Sequence, residues 1–152
     1  MREKLLSPWL TVRVQFVLAA LFVVAGLAKI ADPPGFAHEI HNYRILPGAA
    51  VNVVALVLPW LEVVTGVALF LGICRRTAAQ IFGVLLLVFI VALGVNLARG
   101  RPVDCGCFGT AKVQKTDAER LRDMKVVILR DVGMLLLVAQ ILWATKPTEA
   151  RP

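Results

Sequence analysis

The sequence is short of the polar residues that cover the surface of a soluble protein. Only 18% of its 152 residues are charged, whereas 59% are hydrophobic and the mean hydropathy is +0.77. It also lacks an internal repeat, a low-complexity tract and a polar region long enough for a separate soluble domain. These absences exclude a soluble domain of ordinary composition, and they indicate that a lipid bilayer is the solvent of the chain.

The basic residues do not form a nucleic-acid-binding surface, although the net charge is +7. They flank apolar runs, and no aromatic residues alternate with them to stack on bases. Anionic lipid headgroups are the simpler partner for basic residues in such positions. The sequence therefore predicts contact with the lipid bilayer and no binding of nucleic acid.

Four apolar runs are long enough to cross a hydrocarbon core about 30 Å thick, which takes roughly 20 helical residues. They extend approximately over residues 10–31, 49–74, 78–98 and 126–145. None shows period-2 alternation, so helices are favoured over barrel strands. The first run is longer than the apolar region of a signal peptide, and we expect it to be retained. The predicted fold is all-α, a four-helix transmembrane bundle that forms a single membrane domain over residues 1–152.

Cysteine is scarce, with three residues in the chain, yet two of them stand one glycine apart after the third run. Cys105 and Cys107, here called the cysteine pair, have Cα atoms roughly 5.5–7 Å apart in extended or turn backbone, so a disulfide is feasible but tight. Gly106 supplies the backbone angles that the small ring needs, and Gly109 extends that freedom past Phe108. A strained bridge that encloses so little chain is easily reduced and adds little stability. The pattern favours a reactive pair.

Two other interpretations of the cysteine pair remain open. The thiolates are half of a metal site if His38 and His41, on the same face of the membrane, complete a Cys2His2 set. Alternatively, both are inert thiols in a turn. The third cysteine, Cys74, lies about 30 Å away across the bilayer and is expected to be a small apolar filler, not a resolving thiol. We expect no metal and one redox pair per chain.

Several segments resemble the MauE branch of the DoxX-like membrane proteins. They are AGLAKIADP (25–33), LPGAA (46–50), LPWLEVVTGVALFLG (58–72), ARGRPVDCGCFG (98–109) and the arginine of VVILRDVGMLLL (126–137). The resemblance covers nearly the whole chain, and CGCFG after a third span is its most specific part. It implies a four-helix bacterial membrane protein.

The resemblance also implies a function and partners. MauE proteins are associated with methylamine utilisation, where maturation of the disulfide-rich small subunit of methylamine dehydrogenase requires them alongside a thioredoxin-like protein. DoxX relatives are linked to quinone-coupled oxidoreductase complexes, which makes quinone a candidate cofactor. The expected partners of this chain are thus an extracytoplasmic thioredoxin-like protein and a disulfide-containing client.

The orientation in the membrane follows from two signals that disagree. Seven Lys and Arg residues lie on the face of the two termini and ten on the face of the long connections. Because positive residues are enriched on the cytoplasmic face, this count favours extracytoplasmic termini. Disulfides persist on the oxidising face, however, and the family role requires the cysteine pair there. We therefore expect the inner membrane, cytoplasmic termini and an extracytoplasmic cysteine pair.

Glu62 needs an explanation because it lies near the middle of the second run, where an acidic side chain costs roughly 2.5–3.5 kcal/mol. Its candidate ion-pair partners are Lys29 and Arg130, although Lys29 taken alone is expected to extend toward the headgroups. A neutral Glu62 that holds the bundle together is a further interpretation, and a proton relay or quinone-headgroup site is the functional one. Arg130 and Asp131 are expected to face different directions and to need separate partners.

Two classes of function follow. In the first, the chain is a membrane thiol-disulfide exchange protein acting through Cys105 and Cys107. In the second, it is a non-redox assembly subunit of a DoxX-like quinone-linked complex or a transporter-like bundle, in which the cysteines only shape a loop. Trapping of mixed disulfides distinguishes the two.

Overall fold

The structure is a computed structural model that describes residues 8–104 and 116–145. The described residues form five α-helices and contain no strand: α1 (Pro8–Ala31), α2 (Pro33–Asn42), α3 (Gly48–Leu71), α4 (Arg75–Ala98) and α5 (Asp117–Ala144). Five residues singled out in the sequence lie outside the described residues: Cys105, Gly106, Cys107, Phe108 and Gly109.

Four of these helices, α1, α3, α4 and α5, are long and apolar enough to cross a membrane. Many of their large apolar side chains are exposed, as expected of a surface that faces lipid. Val53 on α3 and Leu129 on α5 are examples, with 61% and 74% of their surface accessible. The predicted all-α, four-span bundle is confirmed, and the chain is a multi-pass membrane protein.

The helix α2 begins where the sequence predicted a long connection. Asp32 caps its N-terminus by accepting a hydrogen bond from the backbone N–H of Gly35 at 3.0 Å. Pro33, at the first helical position, has a backbone angle already suited to a helix and needs no N–H partner there. The helix packs on α3 and buries Phe36. The connection between the first two spanning helices therefore contains a short helix that packs against the bundle.

The fourth spanning helix begins well before the apolar run that predicted it near residue 126. Thr116 and Glu119 form a capping box, in which each side chain bonds the backbone N–H of the other residue. This box satisfies amide groups that the polar sequence would otherwise leave to water. The polar stretch from Asp117 to Lys125 is therefore the first part of α5, and hydropathy alone could not detect it.

The third helix ends at Leu71, before the predicted limit at residue 74. Gly72 adopts the left-handed conformation with φ of +72°, and the N–H of Ile73 donates to the carbonyl of Ala68 at 3.0 Å. This is the hydrogen-bonding pattern of a glycine-terminated helix. The exposed Cys74 follows in the turn that leads into α4.

Helices α1 and α3 approach closely because two glycines lie at their contact. A Cβ atom at Gly26 would stand 2.8 Å from the carbonyl oxygen of Pro59, and one at Gly66 would stand 2.8 Å from Cγ2 of Val23. Small residues permit such close packing of membrane helices, where dispersion and hydrogen bonds drive association. The close contact brings Lys29, about one turn beyond Gly26, against the buried face of α3.

Two apolar clusters fill the bundle, one toward each end. The cluster on the side of the termini contains Leu18, Leu69, Phe82 and Ile141. The other contains Tyr43, Leu93, Val103, Met124 and Val127 and lies on the side of the residue 99–116 connection. The space between the two clusters holds the candidate site.

Candidate functional site: a charged cavity within the bundle

Lys29 and Glu62 form a buried ion pair across the α1–α3 contact. Lys29 Nζ lies 2.6 Å from Oε1 and 2.7 Å from Oε2 of Glu62, and only 6% and 7% of the two residues is exposed. The ring centroid of Phe36 on α2 lies 5.2 Å from the same ammonium group. Lys29 is therefore the partner of Glu62, and the expectation that Lys29 extends toward the headgroups is wrong.

The other candidate partner of Glu62 is engaged by its neighbour in sequence. Arg130 donates from Nε at 3.0 Å and from a terminal nitrogen at 2.9 Å to Oδ1 of Asp131. The expectation that these two residues need separate partners is wrong, because the long guanidinium arm folds back over the helix surface to reach the shorter carboxylate. Arg130 remains partly exposed, whereas Asp131 is 1% exposed.

The carboxylate of Asp131 is only half satisfied by the described residues. Its Oδ1 accepts both bonds from Arg130, and its buried Oδ2 accepts no hydrogen bond within residues 8–104 and 116–145. A buried polar atom without a partner costs roughly 1–3 kcal/mol, and more when the group is charged. Nothing in the sequence pattern distinguished the second oxygen of Asp131.

Both ion pairs line one cavity of about 240 Å³. Its charged lining consists of the Lys29–Glu62 pair, the Arg130–Asp131 pair and Glu39 of α2. Lys29 is also close enough to Asp131 to interact with it electrostatically. The charges that the sequence distributed over three spans are thus gathered at one internal surface.

The remaining wall of the cavity is almost entirely apolar and partly aromatic. Phe22, Phe36, Tyr43 and Phe89 contribute rings, and aliphatic side chains of α1, α3 and α4 complete it. Val88, whose surface is 63% exposed, also lines the cavity, which therefore reaches the lipid-facing side of the bundle. Such a space suits an apolar molecule that carries a polar head.

The segment that leads into the cysteine pair is anchored beside this cavity. Val103 is buried, its N–H donates to Sδ of Met124 at 3.5 Å, and it belongs to the same apolar cluster as Tyr43. The next residue, Asp104, lies 3.6 Å from Nε of Arg120 on α5. Because Tyr43 also lines the cavity, Val103 belongs to a cluster that contributes to the cavity wall.

The histidines and the third cysteine stand apart from the cavity. His38 and His41 are exposed on α2, and within residues 8–104 and 116–145 no three His, Cys, Asp or Glu residues stand close enough to hold a metal ion. A site that combines the histidines with the cysteine pair falls on residues outside that range. Cys74 precedes α4, and the 24 residues of that helix place it about 36 Å from Arg99 at the other end.

A quinone ring fits the chemistry of the cavity. The apolar and aromatic wall suits the ring, and the half-satisfied carboxylate of Asp131 suits a hydroxyl or carbonyl oxygen. A carboxyl oxygen accepts a hydrogen bond when ionised and donates one when protonated, so it can meet either redox form. The volume of about 240 Å³ falls below the roughly 300–1,000 Å³ of pockets that bury a whole drug-sized ligand. Only a head group fits inside, and a lipid tail would extend into the bilayer.

The fold and the cavity define a four-span membrane protein with a charged internal site and a Cys-Gly-Cys segment between its third and fourth spans. Within that class, the chain belongs to the MauE family. The model of the family described as methylamine utilisation protein MauE matches residues 7–144. The resemblance found in the sequence is confirmed.

Several relatives carry the name methylamine utilization protein MauE. The chain is 41% identical to that of Paracoccus denitrificans over 109 residues, which cover 71% of the chain and 59% of the relative. It is 32% identical to that of Methylorubrum extorquens over 140 residues, or 91% and 72% of the two lengths. For Methylophilus methylotrophus, the identity is 33% over 102 residues, or 66% and 54%. The chain thus aligns with little more than half of two of these relatives. No solved structure matches it.

Proposed function

We propose that this protein is a thiol-disulfide exchange component of the bacterial inner membrane that serves methylamine utilisation. Its cysteine pair exchanges electrons with an extracytoplasmic thioredoxin-like protein, which in turn supports formation of disulfides in a client. Membership of the MauE family supports a role in methylamine utilisation. The Cys-Gly-Cys spacing supports thiol-disulfide exchange. The client in the pathway for which the family is named is the small subunit of methylamine dehydrogenase.

The anchoring of the cysteine segment supports exchange with a partner outside the bilayer. Val103 is fixed in the bundle core, while Asp104, immediately before Cys105, is exposed at the end of the spans. The exposed Asp104 is thus the last described residue before the cysteine pair. A protein partner in the aqueous phase can approach a thiol at such a position, as thiol-disulfide exchange requires.

The exchange proceeds through a mixed disulfide. A thiolate of the reduced partner attacks one sulfur of the Cys105–Cys107 bridge, so that one intermolecular S–S bond forms and the bridge breaks. The second partner thiolate then displaces the chain, which leaves an oxidised partner and a reduced cysteine pair. We expect Cys107 to be the more nucleophilic thiol, because Asp104 is adjacent to Cys105 and disfavours its thiolate.

A trapping experiment tests this function. In Cys105→Ser, the Cys107 thiolate attacks the disulfide of the oxidised partner, which is the reverse of the exchange above, and this chain has no neighbouring thiol to resolve the product. The mixed disulfide should therefore accumulate and be visible as a reducible adduct on a non-reducing gel. Cys74→Ser should retain both the function and the normal disulfide state, since Cys74 lies at the other end of α4. Mass spectrometry of the adduct identifies the partner.

The contrary result is equally clear. If Cys105→Ser and Cys107→Ser both restored growth on methylamine to a deletion strain as well as the natural chain does, exchange by the cysteine pair would be excluded. The second class of function, a non-redox assembly subunit or transporter-like bundle, would then take its place.

A further inference from the structure

From the half-satisfied carboxylate in the cavity, we propose that Asp131 binds the head group of a lipid-soluble hydroquinone and that Glu62 does not. A quinone bound at this site would accept the electrons of the cysteine pair, and this part of the inference rests on the proposed function. The binding itself depends only on the cavity. It can therefore be tested separately.

The contacts of the two buried carboxylates decide between them. Both oxygens of Glu62 are held by Lys29 at 2.6 and 2.7 Å, so a ligand would have to break an ion pair to reach them. Asp131 is 1% exposed and lines the cavity, and its Oδ2 accepts no bond from any described residue. A hydroxyl group that enters the cavity satisfies this atom without displacing Arg130.

The wall of the cavity selects an aromatic head over a purely aliphatic one. Rings of Phe36, Tyr43 and Phe89 line the space, and aromatic rings favour offset or edge-to-face contact with another ring. The mostly exposed Val88 marks a path by which a lipid tail reaches the bilayer. The aromatic wall suits a ring, Oδ2 of Asp131 suits a hydroxyl group, and the opening at Val88 suits an apolar tail. Hydroquinones with a lipid tail have all three parts.

The redox balance closes with the cysteine pair. Formation of the Cys105–Cys107 bond from two thiols releases two electrons and two protons. Reduction of a quinone to a hydroquinone consumes two electrons and two protons, so neither a further oxidant nor a further acid is required. Val103, two residues before Cys105 in the sequence, belongs to the apolar cluster that also supplies Tyr43 to the cavity wall.

Binding of 2-decylhydroquinone to the purified protein in detergent, under anaerobic conditions, tests the inference. The readout is the shift of the thermal midpoint with ligand concentration, and the comparison ligand is the dimethyl ether of the same molecule, which cannot donate a hydrogen bond. The hydroquinone should bind about tenfold more tightly than the ether, the typical effect of one hydrogen bond to a charged acceptor.

Two variants locate the site. Asp131→Asn should weaken hydroquinone binding about tenfold and reduce the preference over the ether, since the charged acceptor is lost. Asp117→Asn makes the same chemical change on the exposed first turn of α5, and it should bind as the natural chain does. Ala92→Leu places extra apolar volume in the cavity. It should weaken both ligands equally and so tests the location even if Asp131→Asn fails to fold.

Equal binding of the hydroquinone and its ether, or unchanged binding in both Asp131→Asn and Ala92→Leu, would overturn the inference. A variant with Cys105→Ser and Cys107→Ser together should still bind the hydroquinone. If it does, while the mixed disulfide of the trapping experiment never forms, the ligand site stands and the proposed function fails. The reverse pattern removes the ligand site alone.

Discussion

The Lys29–Glu62 pair provides a stringent test of the structure because it is a buried ion pair between two spanning helices. The ammonium group meets both carboxylate oxygens at 2.6 and 2.7 Å, and the two residues are 6% and 7% exposed. Removal of one partner leaves the other charge buried without compensation, which typically costs 3–5 kcal/mol. In a bilayer, polar groups of the unfolded state find other partners, which reduces the loss. We expect about 3 kcal/mol for either single substitution.

The assay is a double-mutant cycle in detergent with Glu62→Gln, Lys29→Met and the double variant. At roughly 2–4 °C per kcal/mol, as for soluble chains of about 150–250 residues, each single substitution should lower the thermal midpoint by roughly 6–12 °C. The double variant should lose little more than either single one, because no unpaired charge remains. Lys125→Met, at an exposed position of α5, is the matched control and should change stability by less than about 0.5 kcal/mol.

Additivity would refute the pairing. If the double variant lost the sum of the two single losses, the two side chains would not interact. A cycle with Arg130→Met in place of Lys29→Met tests the alternative partner. It should show no coupling to Glu62, since Arg130 bonds Asp131.

Two further predictions concern the helix contact and the orientation. Gly66→Ala should destabilise the bundle by about 1–3 kcal/mol, because its Cβ would stand 2.8 Å from Val23 Cγ2, whereas Gly94→Ala meets nothing within 4 Å and should be neutral or stabilising by up to about 1 kcal/mol. Equal effects in a thermal melt would contradict this contact. A membrane-impermeant maleimide should label the cysteine pair in intact cells after mild reduction and leave Cys74 unlabelled, and labelling of Cys74 alone would reverse the orientation.

The spanning helices could be predicted from the sequence because hydropathy over some 20 residues depends only on composition. The ends of the helices depend on local hydrogen bonds. The box formed by Thr116 and Glu119 extends α5 through polar residues, and Asp32 starts α2 where a connection was expected. Both are recognisable capping patterns, so the sequence contains the signals for the start of α5 and for the presence of α2.

The contacts within the candidate site were less accessible. Lys29 and Glu62 are 33 residues apart, and the choice between Lys29 and Arg130 depends on how α1, α3 and α5 are rotated about their axes. Hydropathy does not encode that rotation. Neighbouring residues of a helix point in different directions, so the sequence predicts no contact between Arg130 and Asp131. The contact forms because the long Arg130 side chain reaches Asp131 in the conformation observed. The half-satisfied oxygen of Asp131 becomes visible only when every neighbour is placed.

The charged and uncharged buried polar groups occupy different places in the bundle. Among the described residues, the uncharged Thr11 and Gln15 are buried in the half near the termini, whereas the charged Lys29, Glu62 and Asp131 are buried around the cavity. Each charge in a span costs roughly 2.5–3.5 kcal/mol on insertion, so a bundle selected for stability alone would avoid them. Under the proposed function, two protons leave the cysteine pair when its bridge forms. A proton can bind Oδ2 of Asp131, which accepts no hydrogen bond from a described residue, while Oδ1 keeps both contacts with Arg130. Both oxygens of Glu62 are bonded by Lys29, so a proton there would replace one of these contacts.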